Sequence, residues 1–183
     1  MAPVYDAIGG MINRLDPVPL LDPEAGDHIL DLGGGTGLLR PAFDGVSLSS
    51  WTVLDLNEWM LRRGKEKGRD CHFVNGSAYQ LPFRSNRFDR ALITDALHHM
   101  GQKKRVLSEA NRVLREGGTL LIEEFDPDTP IGKVTETAEW LGGMGSEFVR
   151  SDQLCDMVRA AGLDVRRTRR HQYLYYVVAS AGG

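Results

Sequence analysis

The chain has 183 residues, with 22 Lys and Arg against 25 Asp and Glu and a formal charge of −3. That balance offers no global attraction to nucleic acid or to an anionic membrane surface. The length suits one domain with a sizeable core, residues 1–183, and no shift in composition argues for two.

The start M-A-P-V-Y-D lacks a charged head followed by an apolar run, and nowhere do 18 uninterrupted apolar residues occur. A soluble, unexported, cytoplasmic protein with no membrane segment is expected. Cys71 and Cys155 stand far apart, without a CxxC or a His/Cys cluster at metal spacing. Neither a disulfide framework nor a metal site is expected from that pattern, and buried small hydrophobes are the expected role of both.

After a leader at residues 1–27, apolar runs of strand length alternate with helical patterns, the mark of βαβ units and a parallel sheet covered on both faces. Strands are expected at His28 to Leu32, Trp51 to Leu56, Cys71 to Val74, Arg87 to Thr94 and Gly118 to Glu124. Asn57 is placed to cap a helix from Glu58 to Lys67. Only a short helical turn fits between the third and fourth strands. Val106, Ala110, Val113 and Leu114 form a helical stripe that Gly117-Gly118 ends. Residues 126–150 contain a stretch rich in Pro, Gly and Thr, read as a short substrate-side insertion or lid. Ser151 then caps a helix through Ala161 with Gly162 as its stop, and Asp164 to Thr168 and Gln172 to Ser180 pair as closing strands. The fold expected is α/β: a Rossmann-like, seven-stranded, mostly parallel sheet with helices on both faces and a C-terminal antiparallel hairpin.

Ligands in such sheets bind outside the carboxyl ends of the strands. Those ends carry Asp31 to Gly37, Asp55, Gly76 to Ala78, Thr94-Asp95 and Glu123-Glu124. In H-I-L-D-L-G-G-G-T-G, residues 28–37, an apolar run ends in an acid and breaks into a glycine loop, as nucleotide-type cofactor sites begin. Gly33, Gly35 and Gly37 give G-x-G-x-G, whereas the dinucleotide fingerprint would need glycine or alanine where Leu38 stands. Asp55 stands 18 residues beyond Gly37 at a strand end, where a carboxylate can accept from both hydroxyls of an adenosine ribose.

With these residues in place the chain resembles the class I S-adenosylmethionine-dependent methyltransferases, and within them the branch of the ubiquinone/menaquinone-biosynthesis enzymes. The resemblance runs through D-L-G-G-G-T-G (31–37), L-D-L-N-E-W-M-L (54–61), G-S-A-Y-Q-L-P-F (76–83), F-D-R-A-L-I-T-D-A-L-H-H-M (88–100), R-V-L-R-E-G-G-T-L-L-I-E-E-F (112–125) and D-Q-L-C-D-M-V-R-A-A-G-L (152–163). It implies S-adenosylmethionine as methyl donor, S-adenosylhomocysteine as product and a small-molecule acceptor. It also implies that Gly33, Gly35, Thr36 and Gly37 cradle the methionine portion and ribose, with Asp31 fixing the loop and the cofactor's ammonium. Asp55 would hold the ribose diol, Leu56 and Met60 would pack on adenine, Ser77 and Ala78 would meet its polar edge, and Thr94 would lie near the amino-acid end. Ser77 departs from the acid that relatives commonly carry there; it can accept from the adenine amino group, but without charge assistance.

For proton transfer the candidates are His98, His99 and Asp95, which follow the fourth strand, and Tyr5 in the leader, which resembles a family Tyr-Asp pair that folds over the cofactor. The run Arg166-Arg167-Thr168-Arg169-Arg170-His171 raises methylation of RNA or protein as an alternative, although the acidic total charge and the lack of interleaved aromatics favour a solvated hairpin rim. A noncatalytic cofactor-binding module of the same fold is a further alternative. A nicotinamide oxidoreductase is disfavoured by the glycine spacing.

Overall fold

A computed structural model describes residues 14–143 and 145–182. Tyr5 lies outside the described residues. The elements are α1 (Val18–Leu21), β1 (His28–Leu32), β2 (Ser50–Asp55), α2 (Glu58–Glu66), β3 (His72–Asn75), β4 (Phe88–Thr94), α3 (Lys103–Val113), β5 (Leu114–Phe125), α4 (Pro130–Leu141), α5 (Ser151–Ala160), β6 (Leu163–His171) and β7 (Leu174–Ala181). Single 3-10 turns occur at Arg40–Phe43 and Leu97–His99.

The seven strands form one sheet in the order β3-β2-β1-β4-β5-β7-β6. β1 to β5 run parallel, while β7 is antiparallel to both β5 and β6. The order reverses between β1 and β4, so the loops leaving those two strands diverge and open a crevice at their carboxyl ends, the usual ligand position in this class of sheet.

Period-two alternation divides the core into two layers. Leu30, Ala91, Ile93, Leu120, Ile122, Tyr175 and Val177 face one side, where α3 contributes Val106 and Ala110 and α5 contributes Leu154 and Val158. Ile29, Trp51, Val53, Leu92, Leu121, Tyr176 and Val178 face the other, packed with Leu20 and Leu21 of α1, Phe43 and Leu61 of α2. Every residue of β7 is buried, which places this strand at the centre of the sheet's C-terminal half.

Several boundaries differ from the sequence reading. α3 stops at Val113, and Leu114 is already extended, paired with Phe88, with a register shift before Arg90 meets Thr119. Gly117, at φ 74, lies inside that strand instead of ending the helix. Residues 130–141 of the insertion form a helix. Pro130 occupies its first turn and the Thr129 hydroxyl accepts from the Gly132 N–H at 3.0 Å. Its apolar residues Ile131, Val134, Trp140 and Leu141 are exposed, so no core-facing stripe marked it in the sequence. At α5 the cap is Arg150, not Ser151, and the Gln153 carboxamide oxygen accepts from the Arg150 N–H at 3.1 Å. β3 begins one residue later than expected, and Gln172, expected in a strand, sits in the final turn at φ 54.

One buried polar contact ties β7 to the segment before α5: the Tyr175 hydroxyl donates to the Val149 carbonyl at 2.8 Å. Tyr175→Phe leaves that carbonyl unpaired in the core, and its expected effect is a loss of about 1 to 3 kcal/mol. Urea unfolding should show a lower midpoint with an unchanged slope.

Candidate active site

The glycine loop leaves β1 over a buried acid. Gly33, Gly35 and Gly37 all have positive φ, at 71, 55 and 70°, and the loop is pinned by Gly33 N–H donating to the Leu54 carbonyl at 2.7 Å and Gly37 N–H to Gly34 at 2.8 Å. Gly34 is required for a different reason: a Cβ there would sit 2.3 Å from Cγ of Asp31. The carboxyl therefore lies directly under the loop backbone. Asp31 is 1% exposed, and burial pushes its pKa up to about 7. Its Oδ1 has no hydrogen-bond partner. A buried acceptor without a donor, beneath a loop that excludes side chains, matches what a cofactor ammonium needs.

Asp55 closes the opposite wall. Its Oδ2 accepts from Gly35 N–H at 2.9 Å and its Oδ1 from Asn57 N–H at 2.7 Å, so one carboxylate joins the loop to the start of α2. Burial raises its pKa, while those two backbone donors pull it back. Each oxygen keeps a second acceptor position, enough for two ribose hydroxyls. The Asn57 side chain caps α2 by accepting from the Trp59 and Met60 N–H groups. Met60 is thereby directed at the loop: a Cβ on Gly35 would lie 3.0 Å from its Cε.

A cavity of about 780 Å³ runs between these walls, within the range of small-molecule sites. Asp31, Gly33, Gly35, Thr36, Asp55, Leu56, Met60, Ser77, Ala78 and Thr94 all line it. Gly37 does not; a Cβ there would press on Val53 and the Cys71 sulfur at 3.3 Å, so its contribution is to loop packing. Leu56 is 75% exposed, which rules out the plain core role and leaves an apolar surface at the cavity wall. The Ser77 hydroxyl accepts from Tyr79 N–H at 3.2 Å, so part of its acceptor capacity is used internally.

At the far end of the cavity lie Asp95, His99, Met100 and Arg14. Arg14 pairs with Glu123 at 3.0 Å and lies 3.9 Å from Asp95. Burial pushes Asp95 up to about 6, against the pull of the His98 charge, and pushes Glu123 up to about 7, against Arg14. His98 does not line the cavity. It is 2% exposed, with Nδ1 2.6 Å from Glu124 Oε2 and its ring stacked on Phe148. Burial depresses its pKa, but the Glu124 charge and hydrogen bond, with Asp95 and Glu139, outweigh that and raise it overall. The same Glu124 accepts from the Leu97 and Ala96 N–H groups at 2.7 and 3.3 Å, so it holds the turn that carries the histidines. His99 contacts Ser146 through Nδ1 at 2.9 Å, and desolvation followed by the His98 charge lowers its pKa.

Arg14 was not read as a site residue, because an isolated cation in a leader has no periodicity or motif to mark it. The basic run on β6, in contrast, is exposed at the sheet edge, with several of its side chains tied to neighbouring groups. Arg166 donates to Ser180, Arg167 to the Pro19 carbonyl, and Arg170 to Ser151 while facing Asp126 at 3.5 Å. Three of its four arginines thus have internal partners, which favours the hairpin-rim reading.

The strand order, glycine loop and cavity define the class of α/β domain, and comparison with known proteins gives its family. The methyltransferase-domain family model matches residues 30–122, just over half of the chain. The ubiquinone/menaquinone biosynthesis C-methyltransferase UbiE of Vibrio cholerae is 36% identical over 145 residues, covering 72% of this chain and 56% of that protein. Its counterpart in Vibrio vulnificus is 32% identical over 192 residues, covering 97% and 73%. The chain therefore spans little more than half the length of the first of these relatives. Among solved structures, a chain from the complex between the Haloferax volcanii Trm112 methyltransferase activator and a methyltransferase superposes with a TM-score of 0.81 at 19% identity, covering 98% of this chain and 97% of that one. At that identity the likeness is one of fold. The chain belongs to the class I S-adenosylmethionine-dependent methyltransferases, in the ubiquinone/menaquinone-biosynthesis branch.

The raised Asp31 sets a sign for stability against pH. Its folded-state pKa of about 7 exceeds the ordinary aspartate value of 3.8, so between those values the native state binds more protons than the unfolded one and stability falls as pH rises. Asp31→Asn removes that penalty. Without cofactor, its thermal midpoint should exceed the wild type's at pH 8, by about 2 to 4 °C per kcal/mol regained, and the gain should shrink toward pH 5. Differential scanning calorimetry at the two pH values measures this.

Proposed function

We propose that the chain acts as one methyltransferase domain, residues 1–183, that transfers the methyl group of S-adenosylmethionine to a small quinone-type aromatic acceptor and releases S-adenosylhomocysteine. The observation that carries this reading is the continuity of one cavity from Asp55 and Ser77, through the glycine loop, to Asp95 and His99. Donor-side candidates and titratable groups share one half-open cavity. The names of the relatives support the acceptor class. The two unpaired cysteines, and the absence among the described residues of a helix long and apolar enough to cross a membrane, support a cytoplasmic setting.

Bound in this cavity, the cofactor supplies an electrophilic methyl carbon on a positively charged sulfur. The protein's task is then alignment in a water-poor space, where proximity and orientation can contribute about 7 to 11 kcal/mol. Asp31 would hold the ammonium end beneath the loop. Asp55 would accept hydrogen bonds from the ribose hydroxyls, Leu56 and Met60 would pack on the adenine, Ser77 and Ala78 would meet its polar edge, and Thr94 would lie on the methionine side. Asp95 is the general base, taking a hydroxyl proton from a quinol acceptor so that a ring carbon gains nucleophilic character; loss of the proton from that carbon after C–C bond formation restores the aromatic ring. A pKa of about 6 suits this role, because the carboxylate is ionised at neutral pH yet remains basic enough to be useful. His98 acts indirectly, positioning the turn through Glu124. Three of the four arginines of β6 are held by partners within the chain, which weighs against an RNA acceptor.

Calorimetric titration should show S-adenosylhomocysteine binding to the wild type and at least tenfold weaker binding to Asp55→Ala and Gly35→Val. Unchanged affinity in both variants, or no binding by folded wild type, contradicts the donor site. The assignment of the base is tested separately. With a demethylated quinol, kcat/KM should fall below pH about 6, and Asp95→Asn should lose most of the rate and that acid limb while retaining cofactor affinity. Asparagine tolerates the φ of 52° at this position.

A further inference from the structure

We propose that His98, His99 and Glu139 form a binding site for a divalent first-row transition ion, with Zn²⁺ as the representative. The three come from two parts of the fold: the 3-10 turn after β4 supplies both histidines, and α4 supplies the glutamate. Nε2 of His98 lies 3.1 Å from Nε2 of His99 and 3.6 Å from Oε2 of Glu139. All three donor atoms fall within 4.8 Å of one another. Bonds of about 2.0 to 2.2 Å to one central ion put neighbouring ligand atoms roughly 3 to 3.6 Å apart, so these two spacings are those of ligands sharing an ion.

Both imidazoles are also oriented from behind. Nδ1 of His98 is 2.6 Å from Glu124, whose other oxygen is held by backbone N–H groups, and Nδ1 of His99 is 2.9 Å from the Ser146 hydroxyl. Each ring therefore spends one nitrogen on a protein partner and turns the other toward the common point, the arrangement that supports histidine ligands in metal sites. The stacking of His98 on Phe148, with centroids 4.4 Å apart, fixes that ring further.

Glu139 supplies the independent observation. Its Oε2 is buried and has no hydrogen-bond partner. A hydrogen bond between the two histidines would satisfy their facing nitrogens and still leave this oxygen orphaned, whereas a bound cation satisfies all three atoms. Two imidazoles and a carboxylate select a transition ion over Mg²⁺ or Ca²⁺, which prefer oxygen ligands alone. Three protein ligands leave a fourth position for water or another ligand. Because His99 also lines the acceptor end of the cavity, the ion ties α4 to the wall of that space and places positive charge beside Asp95 and Glu124. The site does not depend on the methyl-transfer reading.

The test uses the full chain, freed of metal by chelation and dialysis and then titrated with ZnCl₂ in a calorimeter. One equivalent should bind, and His99→Ala and Glu139→Gln should each weaken binding at least tenfold. Both residues are partly accessible to solvent, so the variants should fold, and circular dichroism checks that they do. Zn²⁺ should raise the thermal midpoint of the wild type and leave both variants unmoved. Co²⁺ in place of Zn²⁺ should give visible d–d absorption that Glu139→Gln alters. Absence of binding, or Zn²⁺ affinity and thermal shift unaffected in both variants, overturns the proposal and leaves a histidine–histidine hydrogen bond.

Discussion

Desolvated negative charge at the carboxyl ends of the strands is the constraint around which this molecule is arranged. Asp31, Asp55, Asp95, Glu123 and Glu124 crowd the ends of β1, β2, β4 and β5, and Asp31, Glu123 and Glu124 are almost wholly buried. Such charge is tolerated only when donors or cations meet it. Asp55 and Glu124 are met by backbone N–H groups, Glu123 by Arg14, and Glu124 also by His98. Asp31 and Glu123 each keep an oxygen without a hydrogen-bond partner. Arg14 stands against the one on Glu123, whereas the one on Asp31 lies under the glycine loop, where a positively charged ligand group can complete it.

Those acids also organise the backbone. Glu124 accepts from the two N–H groups at the start of the turn after β4, so that turn exists in its observed form because a strand-end carboxylate lies beneath it. The left-handed φ of 52° at Asp95 belongs to the same arrangement: its N–H donates to the Glu123 carbonyl at 3.0 Å, extending β4 pairing by one residue before the chain reverses. The cavity's acceptor end is thus shaped by hydrogen bonds to β5. Its geometry depends less on the loop's own sequence than on two adjacent glutamates in a neighbouring strand.

What was legible in the sequence follows from this. Strands β1, β2, β4 and β7 declare themselves because burial on both faces demands continuous apolar runs, whereas the exposed edge strand β6 is marked by its place beside β7; the candidate site residues stand at the ends of those runs. Ten of the eleven residues read from the sequence as cofactor-binding candidates line one cavity; Gly37 is the exception, since its positive φ and its contact with Val53 serve the loop from behind. α4 was not legible as a helix: its apolar side chains face outward, so hydrophobic periodicity carried no signal, and only Thr129-Pro130 marked its start. The grouping of His98, His99 and Glu139 lay equally beyond reach, because an adjacent pair and a residue 40 positions onward match no local ligand spacing. Arg14 likewise depends on a tertiary contact with β5.

The connection from β1 to β2 shows how the loop is stabilised in this chain. After Gly37 there is no long helix whose first turn could brace the loop; a four-residue 3-10 turn with Pro41 follows instead. Support comes from the side. Gly64 lies buried within α2, where glycine costs about 1 kcal/mol relative to alanine, and a Cβ there would come within 2.7 Å of the Thr36 carbonyl and closer still to the Phe73 ring. α2 can therefore press against the loop only because position 64 is bare. Arg69, just beyond that helix, donates to the same Thr36 carbonyl at 3.0 Å. Asp55 then binds the loop to the N-terminal end of α2 from the other side. The loop is clamped between the two ends of one helix, so its conformation is set by β2, α2 and the approach to β3 instead of by the residues that follow it in sequence. Movement of α2 would shift Asp55 and Met60 together, so one wall of the cavity moves with this helix as a unit.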